Sequence, residues 1–244
     1  MKMFIPLFKR EFFGYFRSPV AYVFIVIFLI ACVGCTFFIG GLYESNQASL
    51  TPFFSFLPWL YLVLVPAVGM RLWAEERHSG TIELLFTLPI TMVEAVLAKF
   101  CAGWAFLGIA LLLSFPMVIT VAYLGDPDIG VIIAGYIGSF LMAGSFLAIT
   151  CLTSAMTKNQ VISFILGVVI SFFMVLVGWG IFTDILASFL PLPVVDAIAN
   201  LGIMPHFTPI MRGIIDSRDI LYFISLSAAA LILNTIVLQS KKSA

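Results

Sequence analysis

Six long apolar stretches, each without a charged residue, constrain this chain more than any other feature of its sequence. Each reaches the roughly 20 residues that a helix needs to cross the hydrocarbon core of a bilayer. They run over residues 20–42, 50–70, 100–125, 129–157, 161–183 and 220–239. With 62% hydrophobic and 10% charged residues, the chain has more apolar surface than a soluble core can absorb. We therefore predict an all-α integral membrane protein with one transmembrane domain over residues 1–244.

The distribution of lysine and arginine predicts which ends of the spans face the cytoplasm. Basic residues occur before the first span, in the second and fourth connections and at the C-terminus, whereas the first and third connections have none. Only Arg212 and Arg218, in the fifth connection, break this alternation, and four aspartates outnumber them there. We therefore expect a multi-pass membrane protein with both termini in the cytoplasm. The alternating residues are Lys2, Lys9, Arg10, Arg17, Arg71, Arg77, Lys99, Lys158, Lys241 and Lys242.

Residues 4–16 precede the first span and have the spacing of an amphipathic helix. Aromatic side chains such as Phe8 and Phe12 fall on one side, and Lys9, Arg10 and Arg17 fall towards another. This pattern predicts a helix that lies in the membrane interface. Two roles remain open for it: a membrane anchor, or a lever that contacts a cytosolic partner.

The connection between the second and third spans carries the strongest local signal. Gly80 can end one helix, and Thr81 can cap the next by accepting hydrogen bonds from first-turn amides. Glu83 lies in that first turn, where the helix dipole favours a carboxylate. The apolar residues that follow complete a short amphipathic helix closed by Pro89. We predict a docking element for a partner; the alternative is a solvated loop without one.

At this loop the chain resembles the permease subunits of type-2 ABC exporters. Their corresponding segment reads approximately E-E-x-x-x-G-T-x-E-x-L-L-x-x-P-[IV], followed by a lysine at the start of the next span. The matching residues are Glu75, Glu76, Gly80, Thr81, Glu83, Leu84, Leu85, Pro89, Ile90 and Lys99. Within that family the likeness is closest to the gliding-motility, GldF-like permeases, which are similar again over residues 206–219.

The resemblance implies a non-catalytic half-transporter of the bacterial inner membrane. Two permease subunits then line a path, and separate ATPase subunits bind their cytoplasmic face. The loop then contains the coupling helix, and Glu75, Glu76 and Arg77 are candidates for charged contacts with the ATPase or the interfacial helix. The sequence contains no G-x-x-x-x-G-K-[ST] loop for phosphate binding. We therefore expect no cofactor on this chain, ATP and Mg²⁺ on the partner ATPase, and transport by alternating access.

Residues 184–219 form a connection that is too long for a tight turn and too apolar for a free loop. Its prolines divide it into short pieces, which we expect to be re-entrant or interfacial helices that form an outer gate. The candidate gate residues are His206, Gly213 and Asp216. One histidine and scattered carboxylates such as Asp196 are weak indications of a metal or proton site, so we expect a structural role and no metal.

Two other classes of function compete with a permease. An intramembrane lipid-modifying enzyme needs acids, histidines or an activated serine inside the spans, and no predicted span has a carboxylate or histidine at its centre. A channel or secondary transporter is expected to have intramembrane charges or broken helices in matching halves, and the sequence indicates neither. A net charge of zero gives no indication of a nucleic-acid partner.

Several properties of the assembly remain open from the sequence. Small residues recur every four positions in the fourth span, at Gly135, Ser139 and Ala143, and they allow close helix approach within the chain or between subunits. The aromatic-rich spans suit a lipid-like or hydrophobic cargo. The second permease is either the same chain or a homologue, and an accessory extracytoplasmic protein is a further candidate partner beside membrane lipid.

Overall fold

The structure is a computed structural model of the chain, and it describes residues 3–42, 44, 48–81 and 90–242, with side chains as far as Ser240. Within these ranges the chain is built from helices and contains no strand. Six segments of helix are long and apolar enough to cross a membrane. The predicted all-α membrane fold is therefore confirmed.

The first span follows an amphipathic helix and the second continues into a polar one. Helix α1 (Phe4–Arg17) precedes α2 (Pro19–Gly34), which ends in a π-helical turn, Cys35–Ile39. The second span is α3 (Thr51–Gly69), extended by α4 (Arg71–Ser79). The later helices are α5 (Met92–Leu112), α6 (Pro116–Leu124), α7 (Ile129–Met156), α8 (Gln160–Val177), α9 (Gly180–Ala187), α10 (Leu192–Ala199), α11 (Met204–Met211) and α12 (Ser217–Lys242).

Polar side chains cap the helices at the points where several spans begin. The side chains of Ser18, Asp128 and Asn159 accept hydrogen bonds from first-turn backbone N–H groups of α2, α7 and α8. Thr91 and Glu94 form a reciprocal capping box at the start of α5. These groups satisfy N–H donors that have no partner within their own helix. The caps therefore determine where the apolar runs start as helices.

In the third and fifth spans, among others, the helix ends differ from the predicted boundaries. The third begins at Met92 instead of residue 100, so Lys99 lies inside the helix and not at its edge. The fifth ends at Val177 instead of residue 183. The chain turns there because Gly178 and Gly202 approach closely: a Cβ atom on Gly202 would lie 2.4 Å from the backbone nitrogen of Gly178.

The third span consists of two separate helices. Residues 113–115 interrupt it, and α6 starts at Pro116. At the interruption, Ser114 Oγ donates a hydrogen bond to the carbonyl oxygen of Leu111 at 2.6 Å and lies 2.9 Å from Tyr136 Oη of α7. The break is thus held by polar contacts inside the bundle, as expected where backbone groups must be satisfied without water.

Helix α7 occupies the centre of the bundle. Every residue from Met142 to Cys151 is buried, as expected of a helix surrounded by others. A Cβ atom at Gly135 would lie 2.4 Å from the ring of Phe54, so only glycine fits this contact with α3. Ser139 and Ala143 are buried on the same helix. The stripe of small residues therefore serves packing within the chain.

The two ends of the bundle carry different elements. At one end, here called the N-terminal end, α1 packs against α5, and the Tyr15 ring stacks on Phe106 with centroids 4.9 Å apart. At the opposite end, the far end, α9, α10 and α11 form the short helices predicted between the last two spans. Of these, α11 packs on α7 and buries Phe207 and Ile210.

Candidate functional site

Hydrogen bonds between backbone and side-chain groups hold helix α4 against the end of α7. Ser154 Oγ accepts hydrogen bonds from the backbone nitrogens of Trp73 and Ala74, each at 3.0 Å. The same hydroxyl donates to the carbonyl oxygen of the residue that joins α3 to α4, at 2.8 Å. Arg77 Nη1 donates to the carbonyl oxygen of Ala155 at 2.6 Å. The orientation of α4 is therefore set by α7.

Lys99 forms ion pairs with two glutamates that belong to different helices. Its Nζ atom lies 3.0 Å from Glu11 Oε2 of α1 and 2.7 Å from Glu76 Oε1 of α4. Only 2% of Lys99 is exposed, and the side chains of Glu11 and Glu76 are 19% and 20% exposed. This Glu11–Lys99–Glu76 cluster joins the interfacial helix, the extension of the second span and the third span.

The cluster holds two negative charges and one positive charge. The second carboxylate oxygen of Glu76, Oε2, is buried and has no hydrogen-bond partner among the described residues. Buried charges are tolerated when they are paired, and removing one partner of a buried pair typically costs about 3–5 kcal/mol. Both carboxylates depend on the same ammonium group, so Lys99 is the member that the arrangement requires most.

Uncharged side chains connect the cluster to α7 and α12. Lys99 Nζ lies 5.4 Å from the centre of the Trp73 ring, within the range of a cation–π interaction. Trp73 Nε1 donates a hydrogen bond to Cys151 Sγ of α7 at 3.3 Å, and Asn234 Nδ2 of α12 donates to the same sulfur at 2.8 Å. Contacts through Trp73 and Cys151 therefore connect Lys99 of α5 to α4, α7 and α12.

The residues predicted to contact an ATPase have different surroundings. Glu76 and Arg77 are engaged inside the chain, whereas Glu75 is exposed. Gly80 ends α4 with a φ of 72°, in the left-handed region that favours glycine. The Thr81 hydroxyl donates to the carbonyl oxygen of Glu76 at 3.4 Å. The predicted coupling helix, with Glu83, Leu84, Leu85 and Pro89, lies outside the described residues.

The residues predicted for the interfacial helix are found on α1. Lys9, Arg10 and Arg17 are exposed. Phe8 and Phe12 are half-buried and stack on each other, with ring centroids 5.7 Å apart. The basic side chains of α1 are thus exposed while its aromatic ones are partly buried, as its amphipathic pattern predicts.

Glu11 is the member of the cluster that sequence reasoning missed. Leu7, Glu11 and Tyr15 follow one another at four-residue spacing, so they share one face of α1. That face is the buried one, since Leu7 is buried and Tyr15 packs on α5. A carboxylate on an otherwise apolar helix face was the available signal, because such a group needs a buried partner of opposite charge.

A second group of polar side chains lies at the far end of the bundle. His206 Nδ1 of α11 lies 2.8 Å from Asp219 Oδ1 of α12, and its Nε2 lies 3.1 Å from the carbonyl oxygen of Asn200. The Tyr222 ring stacks on the imidazole at 3.9 Å, and its hydroxyl donates to the carbonyl oxygen of Leu201 at 2.7 Å. This His206–Asp219 cluster ties the short helices to the last span.

The other two predicted gate residues shape the turn between α11 and α12. Gly213 adopts a φ of 89° beside Val131 of α7. Asp216 Oδ1 accepts a hydrogen bond from the backbone nitrogen of Arg218 at 2.9 Å, and this bond lowers the pKa of Asp216. Among the described residues, no group of three or more histidines, cysteines and acidic residues lies close enough together to hold a metal ion. The gate role of His206, Gly213 and Asp216 stays a prediction.

Fold and site together define a polytopic α-helical membrane protein in which buried charges join an interfacial helix to the extended end of one span. A family model described as "ABC-2 family transporter protein" matches residues 5–239. A comparison with curated proteins gave no match. Because the family model covers nearly the whole chain, the protein belongs to the ABC-2 family of transporters. Membership implies a membrane permease subunit of an ABC transporter, which pairs with ABC ATPase subunits.

Proposed function

We propose that the chain is the permease subunit of an ABC exporter of the gliding-motility, GldF-like type, and that it couples ATP hydrolysis on separate subunits to movement of its spans. The family match supports the class of transporter. The Glu11–Lys99–Glu76 cluster carries the coupling proposal. It joins α4, which leads into the predicted coupling loop, to both the interfacial helix and the third span.

In this proposal the N-terminal end of the bundle faces the cytoplasm of a bacterial cell. The exposed residues Glu75, Gly80 and Thr81 lead into the predicted coupling helix at that end. The ATPase subunits, which hold ATP and Mg²⁺, bind there. Two permease subunits, identical or homologous, line the path for the cargo between them.

Movement of α4 reaches the rest of the chain through named contacts. When the ATPase subunits close on ATP and displace α4, α1 and α5 follow because Lys99 is bonded to Glu11 and Glu76 together. The α7 and α12 helices follow through Trp73 and Cys151. The His206–Asp219 cluster holds the gate at the far end. Alternating access is then a shift between two arrangements of these packed helices.

A first experiment asks whether an ATPase is a partner of this chain. The chain is purified from its native membrane in mild detergent and returned to lipid. We expect a nucleotide-binding protein to copurify and the complex to show vanadate-sensitive ATP hydrolysis. Recovery of the chain without an ATPase would contradict the proposal and favour a channel, a secondary transporter or an intramembrane enzyme.

A second experiment tests the coupling role of the cluster with Glu11→Gln. This variant keeps the Lys99–Glu76 pair with balanced charges, so it is expected to insert and to bind the ATPase. Spin labels at the exposed positions 9 of α1 and 78 of α4 report the distance between these helices before and after trapping with ATP and vanadate.

In the unmodified complex, and in the matched control Lys158→Gln, we expect α1 and α4 to keep their separation because they move together. Lys158 is exposed and lies outside the cluster. In Glu11→Gln the separation should change on trapping, because α1 no longer follows α4. If trapping leaves the distance between α1 and α4 unchanged in Glu11→Gln as well, the coupling role of Glu11 is refuted.

A further inference from the structure

A cavity of about 600 Å³ lies at the N-terminal end of the bundle, between α1, α2, α3, α4 and α5. Its size falls in the range of small-molecule binding sites. Val20, Val23 and Ile27 of α2 line one side of it and are 50%, 55% and 50% exposed. Leu64 and Val68 of α3 line the other side. The apolar part of the cavity therefore opens sideways, between two spans, towards the lipid.

The opposite part of the cavity is lined by charged side chains. Arg10 of α1 and Arg71 of α4 are exposed into it, and so is Glu75. In the described part of the chain none of these three has an ion-pair partner, whereas Lys99 is committed to Glu11 and Glu76. Two arginines and one carboxylate are therefore free to bind a ligand.

The charges that line this cavity cancel. The basic members are Arg10, Arg71 and Lys99, and the acidic members are Glu11, Glu75 and Glu76. A ligand with a zwitterionic head and an apolar tail matches this arrangement, because it adds no net charge and has a part for each wall. Arginine forms strong charge-assisted hydrogen bonds with phosphate, and a carboxylate pairs with an ammonium group.

We propose that this cavity binds one zwitterionic phospholipid of the phosphatidylethanolamine type from the adjacent leaflet. Its phosphate lies between Arg10 and Arg71, and its ammonium group faces Glu75. One acyl chain lies along α2 from Val20 to Ile27, a distance of roughly 10 Å at the rise of an α-helix. Glu11 and Glu76 line the same cavity, so the lipid touches α1 and α4 beside the ion cluster. The proposal does not depend on the transport cycle.

The test measures how many lipids the purified full-length chain retains, by native mass spectrometry after exposure to vesicles of defined lipid. We expect one phosphatidylethanolamine per chain, retained in preference to diacylglycerol with the same acyl chains. Arg10→Gln/Arg71→Gln is expected to weaken retention at least about tenfold, because it removes both charge-assisted hydrogen bonds to the phosphate.

Two matched controls separate this site from general attraction to lipid. Lys9→Gln/Arg17→Gln likewise removes two positive charges, both from exposed positions of α1 that do not line the cavity, and it should retain lipid like the unmodified chain. Val23→Trp fills the apolar part and should reduce retention. Val26→Trp, at an exposed position of α2 outside the cavity, should not.

The head group is tested separately. Glu75→Gln should remove the preference for phosphatidylethanolamine over phosphatidylglycerol, which lacks an ammonium group. The proposal is overturned if the unmodified chain retains no phospholipid, if diacylglycerol is retained equally well, or if both arginine-containing double variants lose lipid equally. Competition by free glycerophosphoethanolamine at the affinity of the intact lipid would overturn it too, because the cavity would then bind a soluble head group.

Discussion

At the N-terminal end of the bundle, Lys99 joins helices that are far apart in the sequence. At the far end His206 and Asp219, which are only 13 residues apart, join two successive helices. The first cluster is a hub that connects α1, α4 and α5, and it carries an excess negative charge. The second closes a local loop, and both ring nitrogens of its histidine have partners. A contact between a basic and an acidic side chain can thus either join helices that are distant in the sequence or hold two successive helices together.

The largest expected effect comes from removing the centre of the first cluster. Lys99→Met leaves two carboxylates without their common partner, and we expect a loss of about 3–5 kcal/mol in the free energy of unfolding. Denaturant titration in detergent measures it. Lys158→Met, at an exposed position, should change stability by less than about 0.5 kcal/mol.

A triple variant separates the effect of unpaired charges on stability from the effect of the packing that is lost when the Lys99 side chain is replaced. Replacing all three members at once, as Glu11→Gln/Lys99→Met/Glu76→Gln, should restore much of the stability because no buried charge is left unpaired. If Lys99→Met is as stable as Lys158→Met, the cluster is not a buried ion network and the comparison fails.

A smaller and more local effect is expected at the far end. His206→Phe keeps an aromatic ring against Tyr222 but leaves the Asp219 carboxylate without its donor, at a cost of about 1–3 kcal/mol. Proteolysis in detergent should show faster cleavage between α10 and α12, with the rest of the chain protected. His78→Phe, at the other histidine and exposed, is the control. Unfolding of the whole bundle by His206→Phe would erase the difference between the two clusters.

The contact of α4 with α7 should contribute less. Arg77→Met removes the hydrogen bond to the Ala155 carbonyl oxygen, and we expect a loss of about 1 kcal/mol. Amide hydrogen exchange in α4 should rise at the same time, because the helix is held less firmly. The exposed Arg17→Met serves as the comparison. Unchanged exchange in α4 would show that Ser154 alone holds it.

The smallest effect concerns the independence of the two clusters. In a double-mutant cycle, Glu11→Gln and His206→Phe should have additive effects on stability, within about 0.5 kcal/mol, because they share no partner. Glu11→Gln and Glu76→Gln share Lys99, so this pair should deviate from additivity by more than that. Strong coupling between Glu11 and His206 would mean that the two ends of the bundle communicate in the resting state.

The number and type of spans followed from the sequence because the length of an apolar run is set by the thickness of the bilayer. The boundary at Lys99 did not. A lysine was interpreted as the end of a span, since an unpaired charge is expensive in an apolar environment. Glu11 and Glu76 remove that cost, so the lysine can lie inside α5, whose start at Met92 is set by the Thr91–Glu94 capping box.

The candidate site was only partly accessible to sequence reasoning. Glu76 was named for contacts with the ATPase or the interfacial helix, but the choice of Lys99 as its partner depends on how α1, α4 and α5 pack. The pairing of His206 with Asp219 likewise depends on how α11 folds back on α12. Helix caps and hydrophobic periodicity are local features of the sequence, so they do not predict which side chains of different helices come into contact.

The interruption at residues 113–115 gives α5 the geometry of a lever. Helix α5 extends about 10 Å from Lys99 to its start at Met92 and roughly 20 Å to its end at Leu112, at the rise of 1.5 Å per residue. If α5 tilts as a rigid rod about its start at Met92, a sideways displacement of Lys99 is roughly tripled at the break. Because α6 is a separate helix, such a movement would not be passed on rigidly beyond the break.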